Sequence, residues 1–442
     1  MAIIKELNRI LRDGERTYKR ALKKEPDSLI INQVTGESSP ENTDNMIVNG
    51  DNKEIMVTLL NEGYKGKINM IYIDPPFFSK SGYDAVIKVA GKNIKQGVYD
   101  DTWNNDMKKY LRMLTSRLYL MKDLLADDGL IWVHMDFHAV HYAKIIMDQI
   151  FGEGNFVNEI IWQYKSGGST KRRFSRKHDT ILVYSKTAKY KFFPQEEKSY
   201  NREFKPYRFK GVKEYQDEIG WYTIVNMKDV WQIDMVGRTS GQRTGYATQK
   251  PEELLRRVIM SSTKEGDLVA DFFSGSGTLA AVAEDLNRKY IICDKSRLAT
   301  EIAAARLTDR NSSFALYEKK EDRRQRLRAF VEFKVIEDAF MEKKRIQIKI
   351  DRLRLNQLNQ QVDEKDAEVI RSLQKEDPSQ LILSWSIDYH YDGKVHRPDQ
   401  IFTRKGEKIQ LECQVMAMSG REISVRVTDI FGNHRFVYYR VL

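Results

Sequence analysis

The chain has almost no cysteine: Cys293 and Cys413 are the only two among 442 residues. A disulfide framework is thereby excluded, and neither cysteine has the paired spacing of a zinc site. Also missing is any continuous apolar stretch long enough to cross a bilayer. The first residues lead into Lys- and Glu-rich sequence rather than an apolar signal segment. A soluble protein of the reducing cytoplasm is expected, with no membrane partner. No internal repeat is visible, and no Gly-Lys-Ser/Thr phosphate loop occurs.

What is present is enough apolar sequence, 41% of residues, to fill the cores of two or three domains. The net charge of +11 and the pI near 9.2 favour a polyanionic partner.

Two stretches carry chemistry. In the first, an apolar strand pattern over residues 69–73 runs into Asp74-Pro75-Pro76-Phe77, where the double proline forbids continuation of a ladder. The strand therefore ends in a stiff corner. Asp74 brings a carboxylate, Pro75 a carbonyl without an N–H, and Phe77 a flat apolar face. Two acceptors and an aromatic ring are the parts needed to hold an exocyclic amino group on a stacked heterocycle. A proline-rich turn that merely closes a strand is the plain alternative.

In the second stretch, a buried-strand pattern meets Asp271-Phe272-Phe273-Ser274-Gly275-Ser276-Gly277-Thr278 and then an Ala-rich helical run. The Gly-x-Gly turn lets backbone approach a ligand closely at the strand's carboxyl end. A further short strand stops at Asp294, roughly 20 residues on, where a carboxylate is placed to hold ribose hydroxyls. The turn has no third glycine at Gly-x-Gly-x-x-Gly spacing, so a nucleoside without a pyrophosphate is expected.

Together these two blocks resemble the catalytic and cofactor motifs of the S-adenosylmethionine-dependent DNA amino-methyltransferases. Their order, catalytic corner first, resembles the circularly permuted beta group of adenine-N6 methylases, which includes the modification subunits of type III restriction systems. The resemblance spans roughly residues 46–307 and implies a Rossmann-like α/β fold with a mostly parallel seven-stranded sheet. It also implies S-adenosylmethionine as cofactor, double-stranded DNA as partner, no metal, and adenine N6 as the methyl acceptor. One departure stands out: the family usually has Asp-Pro-Phe where this chain has Asp271-Phe272-Phe273. By resemblance, Asp51 borders the cofactor's adenine, although helix capping explains it equally well. The block Gly-Tyr-Ala-Thr-Gln-Lys-Pro at 245–251 likewise makes Thr248, Gln249 and Lys250 candidates for the methionine end of the cofactor.

The chain divides into a helical leader (1–45), a first core part (46–187), an inserted target-recognition segment (188–244), and a second core part (245–312). A charged, mostly helical connector (313–379) and a small antiparallel β domain (380–442) follow. Residues 78–105, polar and dotted with aromatics, are expected to form a mobile flap over the base pocket. Lys171, Arg172, Arg173, Arg176 and Lys177 follow a glycine-containing loop and suit a phosphodiester backbone. Arg238 and Arg243 suit guanine or phosphate, and the aromatics interleaved with cations over 190–210 suit base and sugar contacts. His134, His138 and His141 are read as surface or cap histidines rather than metal ligands. The β domain is a candidate contact with DNA, a second protomer in a homodimer, or a restriction or other methylase-complex subunit, and nucleoid association follows from the DNA reading. Cytosine-N4 methylation, and a non-catalytic DNA-binding scaffold that keeps the fold, stay open as alternatives.

Overall fold

A computed structural model of the chain describes residues 3–26, 28–36, 45–76, 82–100, 106–165, 170–237, 239–246, 248–319, 326–339 and 342–442. The expectations for Phe77 and Arg238 lie outside the described residues.

Ten strands make the central sheet: β1 (Leu29–Thr35), β2 (Met46–Asn49), β3 (Ile68–Ile73), β4 (Leu125–Met135), β5 (Phe156–Gln163), β6 (His178–Ser185), β7 (Val230–Gln232), β8 (Leu268–Asp271), β9 (Lys289–Asp294) and β10 (Phe314–Lys319). Their spatial order is β1-β10-β2-β9-β8-β3-β4-β6-β5-β7. The stretch from β2 to β5 is the expected seven-stranded, mostly parallel sheet, in which β6 alone runs against its neighbours. The sheet is wider than expected because the leader, the recognition segment and the start of the connector each return one strand to an edge.

Strand alternation builds both faces. Ile71 and Ile73 point into a core shared with α1 (Leu7–Ala21), α2 (Asn52–Asn61), α3 (Met107–Leu124) and α4 (Val140–Phe151). Met70 and Tyr72 point the other way, against α5 (Glu252–Ser262), α6 (Thr278–Asp285) and α7 (Arg297–Thr308). The leader helix α1 crosses α3 closely at Gly14, where a Cβ would lie 2.5 Å from the Thr115 Cβ.

Two expectations are corrected. Within the expected flap, residues Gly82–Val89 and Lys92–Asp100 form an antiparallel hairpin, whose turn at Ala90-Gly91 has positive φ at both residues. Val89 and Ile94 are buried in the C-terminal core, and the turn donates backbone N–H bonds to Gln380 (2.6 Å) and Glu407 (2.8 Å). This hairpin is docked rather than loose. The connector, expected to be helical, is mainly a two-strand ribbon, Leu327–Ala339 and Lys343–Leu355, and α8 (Glu364–Glu376) is its one regular α-helix among the described residues. Ile346, Ile348 and Ile350 alternate inward on that ribbon, a period of two visible in the sequence beneath its many charges. The ribbon pairs with Glu412–Met418, so the C-terminal β unit begins near residue 326 instead of 380. No helix among the described residues is long and apolar enough to cross a membrane.

Candidate active site

β3 and β8 lie side by side and parallel, with Met70 opposite Val269 and Ile71 opposite Ala270. Helix α3 carries the chain from β3 to β4 over one face, and α6 carries it from β8 to β9 over the other. The strand order thus reverses between β3 and β8, which opens a crevice at their carboxyl ends. The two motif stretches, far apart in sequence, leave these two strands at that crevice. They line one cavity of about 610 Å³ that includes Asp74, Pro76, Asp271, Phe272, Phe273, Ser274, Gly275, Ser276, Thr278 and Asp294.

On the first wall, Asp74 follows β3 and is mostly buried. Its Oδ2 accepts a hydrogen bond from the Lys250 ammonium, whereas its Oδ1 is buried with no hydrogen-bond partner among the described residues. Behind it sits a polar network. Tyr72 Oη and His134 Nδ1 are 2.8 Å apart, His134 Nε2 lies 3.3 Å from Asp179 Oδ2, and Tyr164 Oη donates to Asp179 Oδ1 at 3.3 Å. His134 is therefore a fully buried bridge, not a surface or cap histidine. The Trp162 ring on β5 stands edge to face with His134, the ring centres 5.3 Å apart. Burial alone would raise Asp179, but the hydrogen bond and charge of His134, with help from Lys250, hold its carboxyl below the usual range.

On the second wall, Gly275 and Gly277 take φ values of 49° and 71°, which L side chains rarely adopt. A Cβ at Gly277 would come 2.6 Å from the Ala303 Cβ, so only glycine lets α6 start against α7. Asp294 braces the turn by accepting from the Gly275 N–H (2.9 Å) and from the Ser296 N–H (2.8 Å). Burial pushes both Asp271 and Asp294 up from the usual carboxylate range. Ser274 Oγ, like Asp74 Oδ1, is buried and has no hydrogen-bond partner among the described residues. The aromatic pair that departs from the family pattern is accommodated: Phe272 is buried, and its carbonyl accepts from Asn52 Nδ2 at 2.9 Å.

Of the remaining candidates, Asp51 both caps α2, accepting from the Lys53 N–H at 3.0 Å, and lines the cavity. Thr248, Gln249 and Lys250 line it as well. Gln249 is tied to Thr244 and Gln242, and Lys250 to Asp74. Sequence reasoning missed Arg117, which bonds Asn52 Oδ1 at 2.9 Å and reaches Asp51 at 3.4 Å. Its signal was available: Tyr110, Leu114, Arg117 and Met121 share one helical stripe, and the other three are buried. Lys171, Arg172, Arg173 and Arg176 are exposed, and so is Arg243. The Arg176 guanidinium lies 3.4 Å from the centre of the Phe137 ring, just past the carboxyl end of β4, which places this loop on the same sheet edge as Asp74. Lys177 Nζ donates to the Lys165 carbonyl at 3.3 Å.

The chain is similar to the type II methyltransferase M.HinfI of Haemophilus influenzae, 30% identical over 277 residues that cover 60% of this chain and 68% of that one. It is also similar to the type II methyltransferase M2.DpnII of Streptococcus pneumoniae, 30% identical over 251 residues, covering 56% of this chain and 84% of that one. A probable type III restriction-modification enzyme HindVI Mod subunit of Haemophilus influenzae is 25% identical over 403 residues, covering 63% of this chain and 52% of that one. The pattern of the N6/N4 DNA methylase family matches residues 68–306, more than half of the chain, around both walls of the cavity. This protein belongs to the DNA methylase family.

Proposed function

We propose that the chain transfers a methyl group from S-adenosylmethionine to the N6 amino group of an adenine flipped out of duplex DNA. One observation carries the reading: Asp74 Oδ1 and Ser274 Oγ, on opposite walls of a single cavity, are both buried without hydrogen-bond partners among the described residues. Buried polar atoms left open in this way call for a polar ligand. The turn at 271–278 would hold the cofactor, with Asp294 at the ribose hydroxyls and Asp51, Thr248 and Gln249 around its ends. When bound, S-adenosylmethionine supplies an electrophilic sulfonium methyl.

The chain's own residues supply orientation and charge. Adenine's exocyclic nitrogen is a weak nucleophile because its lone pair is delocalised into the ring. Asp74 and the Pro75 carbonyl would accept its two N–H bonds and turn that lone pair toward the cofactor. As nitrogen gains positive charge, the Asp74 carboxylate offsets it, and a proton leaves afterwards without Asp74 serving as a strong base. Pro76 stiffens the corner, and Phe77 would stack on the extruded base, recovering about 1–3 kcal/mol of the unstacking cost. Lys171, Arg172, Arg173, Arg176, Lys177, Arg238 and Arg243 would hold the DNA.

Incubation of the protein with tritiated S-adenosylmethionine and duplex DNA, followed by digestion to nucleosides, tests this. Label is expected in N6-methyladenine; label in N4-methylcytosine would replace the base, and cofactor binding without any label would favour the scaffold reading. A second expectation concerns Gly275→Val. Position 275 has φ of 49°, and a Cβ there would lie 3.1 Å from Tyr246 Cε1, a ring that lines the same cavity. Calorimetric cofactor affinity should fall by about tenfold or more, and undiminished affinity would contradict the pocket.

A further inference from the structure

Lys250, expected by resemblance at the methionine end of the cofactor, lines the cavity and also reaches across to the first wall. Its ammonium is bonded to Asp74 Oδ2, with only 10% of the lysine side chain and 16% of the aspartate side chain exposed. The backbone around it is anchored from both neighbouring helices. Thr278 Oγ1, at the start of α6, lies 3.4 Å from the Lys250 carbonyl, and Pro251 is the N-cap of α5. The charge of Lys250 also reaches Asp179 and Asp271. Tyr72, two residues before Asp74, lines the same wall.

We propose that Lys250 is a positioning residue for methyl transfer, clamping Asp74 through Oδ2 so that Oδ1 is left for the target amine. This rests on the methylase reading above. The physical need is specific. An unanchored carboxylate turns freely about its side-chain bonds, and an amine held by two acceptors needs each acceptor at a fixed position. A monodentate bond to one oxygen also fixes the side-chain rotamer while sparing the second oxygen's lone pairs. Lysine suits this better than a planar fork, which tends to take both oxygens of a carboxylate.

The test compares Lys250→Met, Lys250→Gln and Lys250→Arg in the full chain. The Met variant is expected to bind S-adenosylmethionine by calorimetry within about threefold of wild type, while kcat at saturating cofactor falls by about 10²-fold and the KM for DNA changes little. Lys250→Arg, which keeps the cation, should recover part of that kcat, and Lys250→Gln, which keeps only an N–H donor, should recover less. If the Met variant does not fold, the Gln and Arg variants give the same comparison. A tenfold or larger loss of cofactor affinity with kcat preserved would overturn the proposal, because Lys250 would then be holding the cofactor. Absence of methyl transfer by the wild-type chain would sink the methylase reading together with this one, whereas an active wild type with an active Met variant would sink this one alone.

Discussion

Asp74→Ala is expected to lower methyl transfer to DNA by about 10²–10³-fold or more, with cofactor affinity within about threefold of wild type. The asymmetry follows from where the side chain sits. Asp74 belongs to the wall that leaves β3, whereas the glycine turn and Asp294 leave β8 and β9 and brace one another without it. Removing the carboxylate takes away an acceptor for the amine and the negative charge that offsets the nitrogen's developing positive charge. It also removes the carboxylate that faces the Lys250 ammonium in a nearly closed environment, so some loss of thermal stability should accompany the loss of activity. Tritiated-methyl incorporation and calorimetry on the same preparation measure the two effects separately. Turnover near wild type would remove Asp74 from the chemistry.

The largest expected effect on stability lies away from the cavity, at Arg426→Ala. Arg426, on the strand Glu422–Asp429, reaches across to Glu301 on α7, with its two terminal guanidinium nitrogens on the carboxylate, Nη1 at 3.2 Å from Oε2. Arg426 Nη1 also donates to Thr428 Oγ1 at 3.1 Å. The two side chains are 4% and 6% exposed, so truncation leaves a carboxylate with neither a partner nor water. Breaking such a pair from one side costs about 3–5 kcal/mol, read as a lower urea midpoint. Replacing both partners, with Arg426→Met and Glu301→Leu together, should recover much of that loss, because the cost arises from the stranded charge more than from the missing attraction. A midpoint for Arg426→Ala within error of wild type would mean that water reaches Glu301.

Several elements were readable from the chain alone because their signals are local. The Pro75-Pro76 corner and the Gly275 and Gly277 turn depend on backbone constraints that proline and glycine carry into any context. The seven-strand core was implied by the family resemblance that those motifs carry, and its additional edge strands were not. The connector was misread because its charges masked the alternation of Ile346, Ile348 and Ile350, a signal that was present. The hairpin at 82–100 is a different case. Its sequence is polar, and what makes it an ordered element is the burial of Val89 and Ile94 against residues more than 200 positions away.

The amino-acid sequence by itself determined which groups are available for chemistry: a carboxylate on a rigid corner, a glycine turn that lets a nucleoside approach, and a second acid at a strand end. Only the tertiary structure decided which of them meet. The pairing of β3 with β8 puts Asp74 and Ser274 on one cavity with Lys250 on Asp74, and the place of β4 between β3 and β6 puts His134 inside the protein between Tyr72 and Asp179. Backbone preferences act over a few residues, but a side chain's partner is set by sheet order and helix packing, which bring together residues that no local pattern connects.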